Sequence, residues 1–320
     1  MKRVEIASHG NPDAMKVYER ETPLLTQGEC LIDVNIAGVN FIDTYFRSGL
    51  YSSPLPFTPG FEGVGRIREI SQPTPHELFE GQRVGWVMKP GTYSQIASVP
   101  VDALIPIPDD ITDEQAASIL LQGMTAHYLT FDSYRINPGD VALVHAGSGG
   151  VGLLLTQIIK KLGGIVIATA STGEKREHAI SNGADFAIEY EACSERVMEL
   201  TDGVGVSVVY DGIGKETFLE SIASLKLRGT LAVYGYASGA PTAFELKSIG
   251  DKSIFLTRPT LAHFIRDRIE MLERANYIFQ GLITGDFNMM ISKKYDLADA
   301  PQAHRDLEAR TSIGKILLLP

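Results

Sequence analysis

One stretch constrains this chain more than any other. His145-Ala146-Gly147-Ser148-Gly149-Gly150-Val151-Gly152 follows the apolar run Val141–Val144 and opens the helical run Leu153–Lys161. This is G-x-G-x-x-G set between a strand and a helix, the setting in which the pattern has a physical meaning. Gly147 permits a tight turn, Gly149 lets the backbone approach a pyrophosphate, and Gly152 lets the helix pack close to a sheet. The new helix offers N–H groups and the positive end of its dipole to phosphate oxygens. Gly147, Ser148, Gly149, Gly150, Val151 and Gly152 are therefore the first candidates for holding a dinucleotide.

The surrounding pattern agrees. Apolar strands alternate with helical stretches through Ile165–Ala170, Lys175–Ser181, Phe186–Ile188, Glu195–Leu200, Val206–Asp211, Phe218–Leu225 and Leu231–Gly235. Alternation at this spacing predicts an α/β fold, a Rossmann doubly wound parallel sheet with helices on both faces. The end of its second strand selects the nucleotide. About 20 residues past the glycine turn, NAD enzymes place an acid on the ribose 2′-hydroxyl. Here the strand runs into Ser171-Thr172-Gly173-Glu174-Lys175-Arg176. The hydroxyls of Ser171 and Thr172 and the charge of Lys175 suit a 2′-phosphate, so NADPH is expected, with Glu174 facing solvent at a helix start. Tyr234, Gly235 and Ser238 follow the fifth strand, at the carboxyl edge where open parallel sheets bind ligands.

Before this domain, residues 1 to about 110 read as short strands and turns: Cys30–Val39, Gly63–Ile70, Arg83–Val87 and Tyr93–Val99. Thr112-Asp113-Glu114-Gln115 has the form of a capping box and starts a helix. After Arg258 an amphipathic helix (Phe264–Phe279) and a short apolar strand (Lys315–Leu319) are expected to pack back on the N-terminal unit. At 320 residues the chain exceeds the usual limit of one core, and three stretches are assigned: 1–124, 125–258 and a return segment 259–320. A net charge of −10 without a basic stripe argues against nucleic acid as partner. No run reaches the apolar length of a membrane span, and the opening MKRVEIASHG has no apolar stretch behind its basic residues, so a soluble, unexported protein is expected. Cys30 and Cys193 provide neither a disulfide framework nor a zinc lobe and are read as buried fillers. The seven histidines are dispersed and are read as surface or packing residues, with His145, beside the glycine turn, the one to inspect first.

The layout resembles the medium-chain dehydrogenase/reductase family over essentially the whole chain. Ala37-Gly38-Val39-Asn40-Phe41-Ile42-Asp43-Thr44-Tyr45-Phe46-Arg47-Ser48-Gly49-Leu50-Tyr51, the Pro59-Gly60-Phe61-Glu62-Gly63 turn, the glycine motif, Val209-Tyr210-Asp211 and Ala303-His304 with Leu307-Glu308-Ala309-Arg310 and Gly314-Lys315 resemble its zinc-free quinone oxidoreductase (zeta-crystallin-like) branch. The resemblance implies a β-rich, GroES-like catalytic domain beside the nucleotide domain. Asn40, Phe61 and Gln122 stand where zinc-dependent members place metal ligands, and none replaces a thiolate or imidazole, so no catalytic zinc is expected.

Without a Lewis acid, hydride must pass to an acceptor that needs little polarisation, which a quinone satisfies by spreading charge onto its oxygens. The resemblance assigns Asn40, Tyr45 and Tyr51 to the acceptor wall. Gln122 and Thr125 would contact the nicotinamide side where the domains are expected to meet. Tyr190 would lie along the adenine, Arg258 would begin the return segment, and Arg310 would reach the adenosine phosphate end. Asp43 and Arg47 are read as a structural ion pair. The expected activity is NADPH-dependent quinone reduction in the cytoplasm by a homodimer paired near Leu231–Tyr234. An enoyl or alkenal double-bond reductase and a non-catalytic NADPH-binding protein are the alternatives.

Overall fold

The computed structural model describes residues 1–241, 243–310 and 312–320. It divides into two units, the first Met1–Leu121, Arg266–Ile283 and Met289–Pro320, the second Gln122–Ile265 and Thr284–Asn288.

In the first unit β1 (Lys2–Ile6) and β2 (Met15–Glu19) form an antiparallel pair. There follow β3 (Glu29–Val39), helix α1 (Phe41–Ser48), β4 (Glu62–Ile70), β5 (Arg83–Val87), β6 (Ile96–Pro100) and β7 (Ile105–Pro106). The long strand β3 organises them, because it pairs with β4 along one edge and with β6 through its first half on the other. Helix α2 (Asp113–Tyr128) starts where the capping box predicts. Gln115 N–H donates to Thr112 Oγ1 at 3.2 Å, and Thr112 N–H donates to Gln115 Oε1 at 2.9 Å.

The second unit alternates as the sequence predicts: β8 (Val141–Val144), α3 (Gly150–Lys161), β9 (Ile165–Thr169), α4 (Gly173–Ser181), β10 (Phe186–Ile188), α5 (Cys193–Leu200), β11 (Val206–Asp211), α6 (Phe218–Ser224), β12 (Leu225–Val233), the single turn α7 (Lys247–Gly250), β13 (Phe255–Thr257) and the turn α8 (Leu261–Phe264). Among the described residues the six strands form a parallel sheet in the order β10-β9-β8-β11-β12-β13. Its apolar side chains, including Leu143, Ile167, Val209 and Leu231, are buried against α5 and α6 through Val197, Phe218 and Ile222. Each such side chain withdrawn from water contributes about 1.5–3 kcal/mol before entropic costs.

Past the sheet come α9 (Arg268–Thr284), β14 (Ile291–Asp296), α10 (Ala300–Glu308) and β15 (Lys315–Leu319). Strand β15 pairs antiparallel with β3 and parallel with β14, and so belongs to the first unit. Two expectations are corrected. The helix predicted over Phe264–Phe279 is interrupted, because Asp267 Oδ1 accepts from the N–H groups of Ile269 and Glu270 and starts a new helix. Residues Leu231–Tyr234 are not at a sheet edge, since β12 is paired with β11 on one side and β13 on the other. The edge strands of this sheet are β10 and β13, and β13 is the one beside β12. No helix among the described residues is long and apolar enough to cross a membrane.

Candidate active site

In the second unit the glycine turn fits the phosphates that the sequence assigns to it. A Cβ on Gly152 would stand 2.2 Å from the carbonyl oxygen of Ala146, and one on Gly147 would stand 2.6 Å from Ala168 Cβ, so neither position has room for a side chain. Gly149 caps α3 without a side-chain hydrogen bond, leaving the helix entrance open to an anion. Gln122 lies against this turn, its Cγ 3.0 Å from where a Gly150 Cβ would be. Ser148, Gln122 and Thr125 are all buried. Val151 lies in the first turn of α3.

Behind the turn, His145 is fully buried and holds the turn to the sheet. Ala146 N–H donates to Thr169 Oγ1 at 3.3 Å, and Thr169 Oγ1 lies 3.0 Å from His145 Nδ1. His145 Nε2 lies 3.0 Å from Ser221 Oγ, which donates to Asp211 Oδ2 at 2.8 Å. This order of donors puts the imidazole proton on Nε2. Burial holds the His145 pKa below its ordinary value despite the negative charge of Asp211. His145 is thus a neutral linker.

The remaining nucleotide candidates of the second unit fall past the carboxyl ends of its strands. Ser171 and Thr172 are exposed after β9, and Thr172 Oγ1 caps α4 by accepting from Lys175 N–H. Glu174 is exposed, as expected. Arg176, next to Lys175, is engaged with Glu189 at 2.9 Å. The ring of Tyr190 lies nearly parallel to His145 at 6.1 Å. Tyr234 N–H donates to Asp211 O, and Gly235 packs on Gly212, where a Cβ would approach the Gly212 carbonyl to 2.7 Å. Ser238 Oγ donates to Ile213 O and accepts from Glu216 N–H, tying two of these loops together. The Arg258 guanidinium lies over the Tyr236 ring at 4.3 Å. Arg310 belongs to the first unit, just past α10.

In the first unit, Tyr45 lies on α1 and Tyr51 just beyond it, their rings edge to face at 5.3 Å. Phe46 stacks on Phe61 at 4.5 Å and meets Tyr51 edge to face at 5.5 Å. Phe61, which by resemblance takes the place of a metal ligand, is part of a continuous aromatic group. Asn40, which precedes α1, is buried, and its amide is engaged on both sides. Nδ2 donates to Gly38 O at 3.2 Å and Glu62 Oε2 at 2.9 Å, while Oδ1 accepts from Lys315 Nζ at 2.9 Å. A Cβ on Gly38 would stand 2.3 Å from Glu62 Oε2, so glycine there makes room for the carboxylate.

Asp43 and Arg47 do not pair with each other, contrary to expectation. Asp43 Oδ2 accepts from Asn40 N–H and from Tyr93 Oη, whereas Arg47 donates to Glu308 and His304. Although four residues apart on one helix, the two side chains find partners in the loop before β6 and in α10 instead. These residues do not fit a metal. Asn40 is committed to Lys315 and Glu62, and Phe61 offers a ring face. Among the described residues no group of three or more His, Cys, Asp or Glu side chains is placed to hold an ion.

A glycine-turn nucleotide unit and a β-rich unit with an aromatic, metal-unsuited site together define a nicotinamide-dependent oxidoreductase. The alcohol dehydrogenase GroES-like domain matches residues 26–109, and the zinc-binding dehydrogenase domain matches residues 150–276. Quinone oxidoreductase 1 of Escherichia coli is 36% identical over 325 residues, covering 99% of each chain. A 2-haloacrylate reductase of a Burkholderia species is 36% identical over 327 residues, covering 98% of each. A solved mycobacterial structure complexed with NADPH is 41% identical, with a TM-score of 0.97 and full coverage of both chains. The chain belongs to the medium-chain dehydrogenase/reductase family, in its zinc-free quinone oxidoreductase branch.

Proposed function

We propose that the protein is an NADPH-dependent quinone reductase that works without a metal. The observation that carries this is the aromatic group of Tyr45, Phe46, Tyr51 and Phe61, of which Phe61 holds, by the family resemblance, a place where metal-dependent relatives put a ligand. Flat rings with phenolic edges suit a flat conjugated acceptor whose negative charge develops on oxygen. NADPH, when bound, supplies the hydride, and a solvent proton completes the hydroquinone. The chain's residues bind and orient. The glycine turn (Gly147 to Gly152) holds the pyrophosphate, Ser171, Thr172 and Lys175 meet the 2′-phosphate, and Gln122 and Thr125 take the nicotinamide side. Tyr190, Tyr234, Gly235, Ser238, Arg258 and Arg310 complete the nucleotide contacts, while Tyr45 and Tyr51 donate to the acceptor oxygen.

The likeness to a 2-haloacrylate reductase supports a second reading, reduction of an activated double bond, because the same hydride geometry serves it. An acceptor panel run with NADPH and NADH, with and without chelator, tests both. A naphthoquinone oxidising NADPH faster than NADH, unaffected by chelator, is the expected result. Preference for an unsaturated aldehyde would favour the second reading, and tight NADPH binding without turnover would sink both. A cytoplasmic location fits a pyridine-nucleotide reductase whose two cysteines are free and buried. A homodimer formed through the β13 edge completes the proposal.

A further inference from the structure

The last strand delivers a lysine into the interior. Lys315 is 1% exposed, and the neighbours that follow it, Ile316, Leu317 and Leu318, are apolar and buried. Enclosing an ammonium costs several kcal/mol unless partners repay it. The partners are Glu62, fully buried and 2.5 Å away, and Asn40 Oδ1 at 2.9 Å. Glu62 in turn accepts from Asn40 Nδ2 and, through Oε1, from Leu121 N–H at 2.8 Å. One ammonium therefore joins β15, β4, the entry to α1 and the end of the first unit's share of α2.

The second carboxyl nearby, Asp43, accepts from Asn40 N–H and Tyr93 Oη through its Oδ2. Asp43 is fully buried, its Oδ1 has no hydrogen-bond partner, and burial pushes its pKa up to about 7. Lys315 Nζ meets Glu62 Oε2 directly, and the Asn40 amide is held in one orientation by a donor on its oxygen and acceptors on its nitrogen. Asn40 leads directly into α1, which presents Tyr45, and Tyr51 N–H donates to Tyr45 O.

We propose that Lys315 is a positioning residue for the acceptor side, fixing the Asn40 carboxamide and with it the entry to α1, the helix that carries Tyr45. The inference rests on the quinone reductase reading above. Lys315 touches no reacting atom and acts through Asn40.

The test removes both charges together, because Lys315→Met alone would leave Glu62 buried and unpaired. In K315M/E62Q, NADPH titrated by its fluorescence should bind within about twofold of wild type, since the glycine turn lies in the other unit. The kcat with naphthoquinone should fall on the order of tenfold or more while the KM for NADPH stays unchanged. Asn40→Ala should fall comparably, and the triple variant should be no worse than the double. A double variant with wild-type kcat, or losses that multiply in the triple variant, would overturn the inference. Should K315M/E62Q fail to fold, Asn40→Ala, which keeps the ion pair, decides alone: wild-type kcat there means nothing passes through Asn40. Wild-type protein that reduces no quinone sinks the function, whereas wild-type turnover equalled by every variant sinks only this role of Lys315.

Discussion

His304 is a base that the fold prevents from acting as one. It is fully buried, its Nδ1 lies 3.1 Å from Arg47 Nη1 and its Nε2 lies 3.0 Å from Tyr93 Oη, so burial and the adjacent guanidinium push its pKa down to about 3. Between pH 6.5 and 3 the unfolded chain takes up a proton that the folded chain refuses. Stability from this group is therefore lost on acidification, at no more than about 1.4 kcal/mol per pH unit. Asp43, raised to about 7 chiefly by burial, has the opposite sign: the folded state holds the extra proton, and stability declines as pH rises from about 4 to 7. The two slopes oppose each other across their shared window. His304→Gln removes the first, so the advantage of wild type over the variant should shrink steadily from pH 6.5 to pH 4, followed by urea denaturation. Parallel profiles would mean that His304 does not titrate on unfolding. At the nucleotide site, Lys175→Ala should raise the KM for NADPH roughly tenfold through loss of a charge-assisted phosphate contact, with little change for NADH. Equal effects on both nucleotides would mean that Lys175 does not meet the 2′-phosphate. Residues differ in legibility. Lys175 is proposed from a single local motif, whereas the partners of Asp43, Arg47 and Lys315 lie up to 275 residues away along the chain. No local spacing carries that information.

Elements were legible wherever one residue pattern dictated one structure. Strands β8, β9 and β11 are short apolar runs bounded by turns, and each lies inside the parallel sheet with most of its side chains buried. Strands β2 and β14 escaped notice because most of their residues are exposed or half-exposed, which blurs the alternation. Helix α1 escaped because its eight residues follow β3 with Asn40 alone between them, and its end is marked only by Gly49 in the left-handed region at φ 83°. Helix α2 shows the reverse case, a boundary written into four consecutive residues. Thr112→Ala removes the acceptor for Gln115 N–H at its start and should cost about 1 kcal/mol, measured by chemical denaturation, while Thr112→Ser should recover most of it. Because α2 also bears Gln122 and Thr125, fraying at this end of the helix should leave NADPH affinity unchanged, the cap lying more than two turns away. A cap variant with wild-type stability would show that tertiary packing alone fixes the start of α2.

At the scale of the whole molecule, the sheet of the second unit ends abruptly. Strand β13 is bonded to β12 on one side, and its side chains Phe255 and Leu256 are 63% and 37% exposed, pointing to opposite faces. Leu246, just before it in the chain, is 77% exposed. An edge strand carrying apolar residues on both faces, with neither lysine nor proline among its three residues, lacks the features that keep such edges from pairing. A two-fold axis through this edge would join two copies antiparallel, strand to identical strand, and would shelter the same side chains on each. The interior position of β12 explains why β13, not the more apolar Leu231–Tyr234, supplies this surface: β12 has already spent both of its backbone edges. Sedimentation at micromolar concentration should therefore find a dimer. Leu256→Lys should shift it toward monomer, since each dimer would bring two ammonium groups to one apolar seam, while the NADPH site on the opposite strands stays intact. A wild-type monomer, or a Leu256→Lys protein that sediments as wild type does, would place any self-association elsewhere on the molecule.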